Sequence, residues 1–223
     1  MEQLPIFTGI FFGLTTLMTV LLFYRAARYS KTVLRISTGW LLLQGIIALT
    51  GFYTVTDSIP PRFLLLAGPP LLFILLLFCT PQGRAFVDRL DLQTLTMLHI
   101  IRIPVELVLF WLFFFGVVPE VMTYEGRNFD ILSGLTAPLV FYFVFIKNKI
   151  GRKAFLIWNF ICLGLLFNIV IHAVLSAPSP FQKMAFDQPN VAVLHFPFIW
   201  LPCCVVPLVL LSHLAAIRQL IKK

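Results

Sequence analysis

His99, Arg102 and Glu106 stand in one apolar run, HIIRIPVELVLFW. At 100° per residue they fall within about 60° of one another on a helix, so they form a single polar stripe. Arg102 and Glu106 are four residues apart and can pair along the helix. Glu106 lies roughly 12 Å from the N-terminal end of the apolar run, and its side chain is too short to reach water from there. Pro104 removes the hydrogen bond to the Ile100 carbonyl and leaves a polar acceptor in the same layer. Ionisable groups inside such a run point to a proton, ion or ligand site facing the interior of a bundle. The competing reading is an ion pair that only specifies helix packing.

A second group of candidates lies in two long loops. His172 follows Asn168 by four residues, and His195 follows the proline-rich segment SAPSPFQKMAFDQPNV, which carries Lys183 and Asp187. The segment PEVMTYEGRNFD adds Glu120, Glu125, Arg127 and Asp130. Long ordered loops often bind or cover ligands, so His172, His195, Glu120, Glu125, Asp130 and Asp187 form a candidate outer-face site. Histidines with carboxylates have the atoms for a metal, but neither HxxxH nor HExxH spacing occurs, and no metal is expected. His99 with His213, and His172 with His195, also sort into two pairs that could ligate haem at two depths. There is no C-x-x-C-H, so no cofactor is expected and haem stands as an alternative.

A third feature is backbone chemistry. Pro202 and Pro207, with Pro197 before them, surround Cys203 and Cys204 and free the carbonyls of Phe198 and Cys203. Together with Pro104 they predict helix kinks, either static or serving as a hinge or broken-helix site. No lysine lies between Val191 and Ile217, which excludes a retinal Schiff base there.

The elements that position these residues follow from composition. Of 223 residues, 60% are hydrophobic and 12% charged, and the mean hydropathy is +0.96. A water-soluble domain carries about 25% charged residues, whereas a lipid-facing surface needs none. Apolar segments of roughly 20 residues predict transmembrane helices at 5–24, 36–56, 62–79, 94–118, 131–146, 154–175 and 191–217. The expected fold is therefore an all-α bundle of seven transmembrane helices in a single domain spanning 1–223. The first segment has no basic start and an apolar run longer than a signal peptide's, so an uncleaved anchor is expected.

Orientation follows from charge. Proposed inside segments hold Arg25, Arg28, Lys31, Arg35, Arg84, Arg89, Lys147, Lys149, Arg152, Lys153, Arg218, Lys222 and Lys223. Outside segments hold only Arg62, Arg127 and Lys183. This asymmetry predicts an N-terminus outside and a C-terminus in the cytoplasm. Acids lean the other way, with Glu2, Asp57, Glu120, Glu125, Asp130 and Asp187 outside and Asp88 and Asp91 inside. Tyr24, Tyr29, Trp40, Tyr53, Tyr124 and Trp200 fall near proposed helix ends, where amphipathic rings favour the interface. The basic clusters sit between apolar runs and carry no phosphate loop or nucleic-acid motif, so nucleic acid is excluded as a partner. Cys79, Cys162, Cys203 and Cys204 lie in or beside apolar segments and read as small hydrophobes. Gly9, Gly13, Gly45 and Gly164 suggest close helix contacts.

The stretches RIPVELVLFWLFFFGVVPE, EGRNFDILSGLTAP and SAPSPFQKMAFDQPNVAVLHFPFIWLP resemble those of a family of bacterial multi-pass membrane proteins with no assigned activity. The resemblance implies a location in the bacterial inner (plasma) membrane and carries over no site residue. The residues themselves point first to a non-enzymatic bundle that binds or translocates a small solute or proton at Arg102 and Glu106. The rivals are a membrane-embedded enzyme acting on a lipid or quinone, a haem cytochrome, and a structural subunit that binds a protein partner.

Overall fold

The computed structural model describes residues 4–222; Glu2 and Lys223, counted in the charge asymmetry, lie outside the described residues. The chain is helical, with no strand among the described residues. Among the described residues, five helices are long and apolar enough to cross a membrane: α1 (Ile6–Ala26), α2 (Lys31–Leu49), α5 (Leu92–Phe114), α7 (Arg152–Ser176) and α8 (Leu201–Lys222). Between α2 and α5 run α3 (Leu64–Cys79) and α4 (Pro81–Arg89), bent by 96° at their junction. The apolar helix α6 (Ile131–Ile146) is shorter than the long five.

Local chemistry explains the breaks. Thr80 accepts from Gly83 N at 3.2 Å and Pro81 opens α4, so α3 stops and α4 starts at one capping residue. A side chain at Gly83 would collide with the Leu77 backbone, so only glycine fits that corner. Asp91 caps α5 by accepting from Thr94 N at 2.8 Å. Inside α5 the turn His99–Ile101 tightens just before Pro104, which cannot donate to Ile100. α8 opens with a wide turn at Leu201–Val205, between Pro202 and Pro207.

Several expected helix limits move. α2 starts at Lys31 and ends at Leu49 instead of running over 36–56, because Gly51 takes the left-handed conformation at φ +74° and turns the chain. α5 ends at Phe114 and not at 118, with Gly116 at φ +73° in the same role. The segment expected to begin the last helix at 191 is not continuous helix. Its Val191 and Ala192 N–H groups both donate to Val117 O at 3.1 Å, and helix resumes only at Leu201.

α8 is the central element, with 61% of its most apolar stretch buried, whereas α2 has 17%. α1 packs along α5, and α8 lies against α7 and the first turns of α5. Buried Thr15, Thr16 and Thr19 on α1 donate to carbonyls four residues back, so they need no partner from another helix. Large apolar side chains such as Ile6, Leu49, Phe114, Leu139 and Ile161 point outward and are more than half exposed.

The loops at each end knit together. At one end Asp91 N donates to Ala26 O at 2.8 Å and Arg28 Nε to Arg89 O at 3.1 Å. Arg218 and Lys222 pair with Asp88, and Arg152 Nη2 donates to Ile221 O at 3.0 Å. At the other end Gln188 Nε2 donates to Val118 O at 2.6 Å and Phe113 O at 2.9 Å.

Candidate functional site

His99, Arg102 and Glu106 are all buried on the inner face of α5, at 1%, 2% and 1% exposure. Arg102 is ten residues into α5, about 15 Å along its axis. The expected pairing along the helix does not form. Arg102 Nη1 instead makes a salt bridge to Asp130 Oδ1, and it also donates to Cys162 O at 3.3 Å. Asp130 was expected on the outer face; it is 6% exposed and lies at the level of Arg102. The cause is the segment Val117–Asp130, which folds into the bundle. Val118, Met122, Thr123 and Asn128 within it are essentially inaccessible.

Two glycines make that descent possible. A Cβ on Gly126 would run into the backbone of Glu120 and Val121. A Cβ on Gly134 would sit 2.9 Å from Ile103 Cγ1 and 3.3 Å from Arg102 Cβ. Gly134, one turn after Asp130, therefore lets α6 approach α5 closely enough for the carboxylate to reach the guanidinium. The glycines expected to serve this purpose do less. Gly9, Gly13 and Gly45 make ordinary contacts with Pro197, Trp200 and Phe196, and Gly164 has nothing within 4 Å.

The second guanidinium nitrogen fixes a tautomer. Arg102 Nη2 lies 2.8 Å from His213 Nε2. Arginine has no acceptor, so Nε2 must offer its lone pair and the proton of a neutral His213 sits on Nδ1. That proton is donated to Asn159 Oδ1 at 3.1 Å, while Asn159 Nδ2 donates to Phe155 O at 3.0 Å. Three helices, α5, α7 and α8, and the start of α6 thus close one chain of bonds. His99 stacks on His213 with ring centroids 3.9 Å apart and an interplanar angle of 15°. That stack corrects the proposed haem pairing of these two rings: there is no space between them for a porphyrin, and His213 Nε2 is already taken.

Glu106 is held separately. Its Oε1 accepts from Asn128 Nδ2. Asn128 Nδ2 also donates to Met122 O at 3.0 Å, and Asn128 Oδ1 accepts from Asp130 N at 3.0 Å, so both amide hydrogens are used. Four buried polar atoms around the layer have no hydrogen-bond partner among the described residues: Glu106 Oε2, Arg102 Nε, His99 Nδ1 and Ser133 Oγ. A fixed Arg102–Asp130 pair beside a carboxyl with one free oxygen can hold and release a proton or bind an ordered water. Unmatched groups of this kind are costly in a dry interior.

The remaining outer-face candidates do not converge on one centre. Glu120, Glu125 and Asp187 are exposed. Glu120 and Asp187, with Arg127 and Gln188, border an open cleft of about 640 Å³ between the two long loops. His172 Nδ1 lies 2.8 Å from Asn168 O on its own helix. His195 lines a separate groove beside Gly51 and Thr54, and burial lowers its imidazole below the ordinary range. Among the described residues no three of His, Cys, Asp and Glu form a metal-holding group. Of the two carbonyls expected to be freed by prolines, that of Phe198 accepts from Leu201 N at 3.0 Å. The Cys203 carbonyl freed by Pro207 accepts from Trp40 Nε1 at 2.9 Å, and Trp200 Nε1 donates to Leu41 O at 3.1 Å. Both indoles thus tie α2 to the start of α8, and Tyr53 is buried.

Sequence reasoning missed Asn128, Asn159, Ser133 and Gly134. The EGRNFDILSG stretch holds Asn128, Ser133 and Gly134 within seven positions, and that density of small and polar residues is the available signal.

Fold and site together define a helical bundle with an apolar exterior and one buried charged layer. The chain belongs to the family described as Domain of unknown function (DUF8737), which matches residues 59–221 and so includes every residue of that layer. No curated protein and no solved structure matches the chain.

Proposed function

We propose that the chain is a multi-pass protein of a bacterial inner membrane that takes up and releases a proton at Glu106, as a non-enzymatic proton-handling or proton-coupled bundle. The observation that carries this reading is charge bookkeeping in the layer. Asp130 already neutralises Arg102, and Glu106 has one oxygen bonded to an uncharged amide and one oxygen free. A carboxyl so placed is most economically neutral, and a neutral carboxyl can lose its proton when a path to water opens.

The membrane reading rests on the outward rows of large apolar residues, which a protein in water does not sustain. Seven passes, N-terminus out and C-terminus in, agree with the way the bonded loops gather the basic segments 25–35, 84–89, 147–153 and 218–222 at one end. In that arrangement α3, about 24 Å long with its 16 residues, and α6 are the two short crossings. α6 begins at the depth of Arg102 and needs only the inner part of the bilayer.

The test is proton flux in proteoliposomes with an internal pH dye, combined with infrared spectroscopy of the same samples. The wild type should show flux and a protonated-carboxyl band, and Glu106→Gln should lose both while remaining monodisperse. Unchanged flux in Glu106→Gln overturns the assignment. A C-terminal reporter found in the periplasm overturns the orientation.

A further inference from the structure

We propose that the groove between α2, α3 and α8 is a binding site for one anionic phospholipid, with an acyl chain lying in the groove and the phosphate at Arg35. The proposal rests on the membrane reading but not on the proton chemistry of Glu106. The groove has a volume of about 590 Å³, within the ~300–1,000 Å³ typical of ligand sites.

Its origin lies in small and cyclic side chains where helices would otherwise mesh. Ser37 and Gly39 of α2, Pro69 and Pro70 of α3, and Cys203 and Pro207 of α8 all line it. α2 and α3 make few close backbone contacts with each other. α2 is pinned to α8 instead by the Trp40 indole on Cys203 O and the Trp200 indole on Leu41 O. The opening between α2 and α3 is therefore built into the fold, and on the membrane reading it faces lipid.

Charge selects the occupant. Among the described residues, Arg35 is the sole ionised side chain in the wall, and no acid lines it. Among the described residues, Arg35 makes no salt bridge. It lies near the start of α2, beside Ser30 and Thr32, which also line the groove. That helix start has no acid in its first turn and no side-chain cap, so its first N–H groups are free to meet an anion. The rest of the lining is almost wholly apolar, so the site matches a molecule with a negative head and a long hydrocarbon chain. A phosphate alone leaves the apolar length unused, and a zwitterionic headgroup brings no net charge to Arg35.

The test uses the full-length protein in dodecyl maltoside, titrated with phosphatidylglycerol or phosphatidylcholine carrying brominated acyl chains. The readout is the part of tryptophan quenching that disappears in Trp40→Phe, because Trp40 forms part of the wall. Saturable quenching with tighter binding of phosphatidylglycerol is expected. Arg35→Gln should weaken phosphatidylglycerol about fivefold, close to the phosphatidylcholine curve. Gly39→Leu should weaken both lipids about tenfold by occupying the chain's space. Gly39 has nothing within 4 Å of an added Cβ, and leucine favours helix over glycine, so the variant keeps its fold. Glu106→Gln should leave lipid binding unchanged, which separates this site from the proton site.

Equal affinity for the two lipids in the wild type overturns the proposal. So does an unaltered curve in Gly39→Leu, displacement of the lipid by inorganic phosphate at equal concentration, or a stoichiometric polypeptide co-purifying in the groove. A chain that stays monodisperse without detergent overturns the membrane reading before any lipid is added.

Discussion

Two acid–base clusters stand at different depths and are built on different principles. Arg102 and Asp130 meet in the interior at 3% and 8% side-chain exposure. Asp88 meets Arg218 and Lys222 at the rim, where the exposures are 21%, 27% and 66%. The inner pair needs a glycine, a descending loop and bonds to α7 and α8 before its charges can meet. The rim cluster needs only α4 lying across the end of α8, with Arg218 Nε and Lys222 Nζ each donating to Asp88 at 2.8 Å. Burial makes an unmatched charge cost several kcal/mol, so the inner ion pair depends on each charge keeping its counter-ion. Water makes the rim pairs worth little each, so that cluster can lose a member. Chemistry that depends on a controlled proton belongs in the first environment, and docking of a helix end can be left to the second.

The largest expected effect comes from Asp130→Asn, which leaves the Arg102 charge buried without a counter-ion. About 3–5 kcal/mol of stability should go, visible as a collapsed thermal transition in detergent. The double variant Arg102→Met/Asp130→Leu should recover most of that loss. If Asp130→Asn alone melts like the wild type, the two clusters do not differ in the way described. Gly134→Val should cost about 1–3 kcal/mol by forcing α6 away from Ile103 and Arg102, read from the same melts.

At the rim, Asp88→Asn should cost under about 1 kcal/mol, and the deficit should shrink in molar salt. Its pH dependence has a definite sign. Hydrogen bonds from Arg218 and Lys222 hold the Asp88 carboxyl below its ordinary range. The stabilisation is therefore present above the unfolded value of about 3.9 and is lost as the pH falls through the lower folded value. Wild type and Asp88→Asn should converge in acid and separate toward neutrality. A gap that widens in acid contradicts this assignment.

The polar stripe was legible because helical periodicity alone places His99, Arg102 and Glu106 on one face. The choice of partner was not. Arg102 and Glu106 have the right spacing to pair, and nothing local says that an acid 28 positions away will displace Glu106. Asp130 reads as a surface loop residue because it follows a polar segment, and only the packing at Gly134 and Gly126 carries it inward. His213 bonds to Arg102 across 111 positions, a contact no local pattern encodes. Helix ends shifted for a similar reason. Apolar runs continue through 50–56, 115–118 and 191–200, but positive-φ glycines and competing backbone acceptors end the helices there first.

By itself the sequence determined the all-helical character, the apolar stretches that become the long helices, and the face of α5 that is polar. Those properties depend on composition and on repeat distances of a few residues, which each segment carries alone. Tertiary structure decided which carboxylate meets Arg102, which tautomer His213 adopts, and that α2 packs only sparsely on α3. Each of these depends on how closely two backbones approach, and that distance is set by residues far apart in the chain.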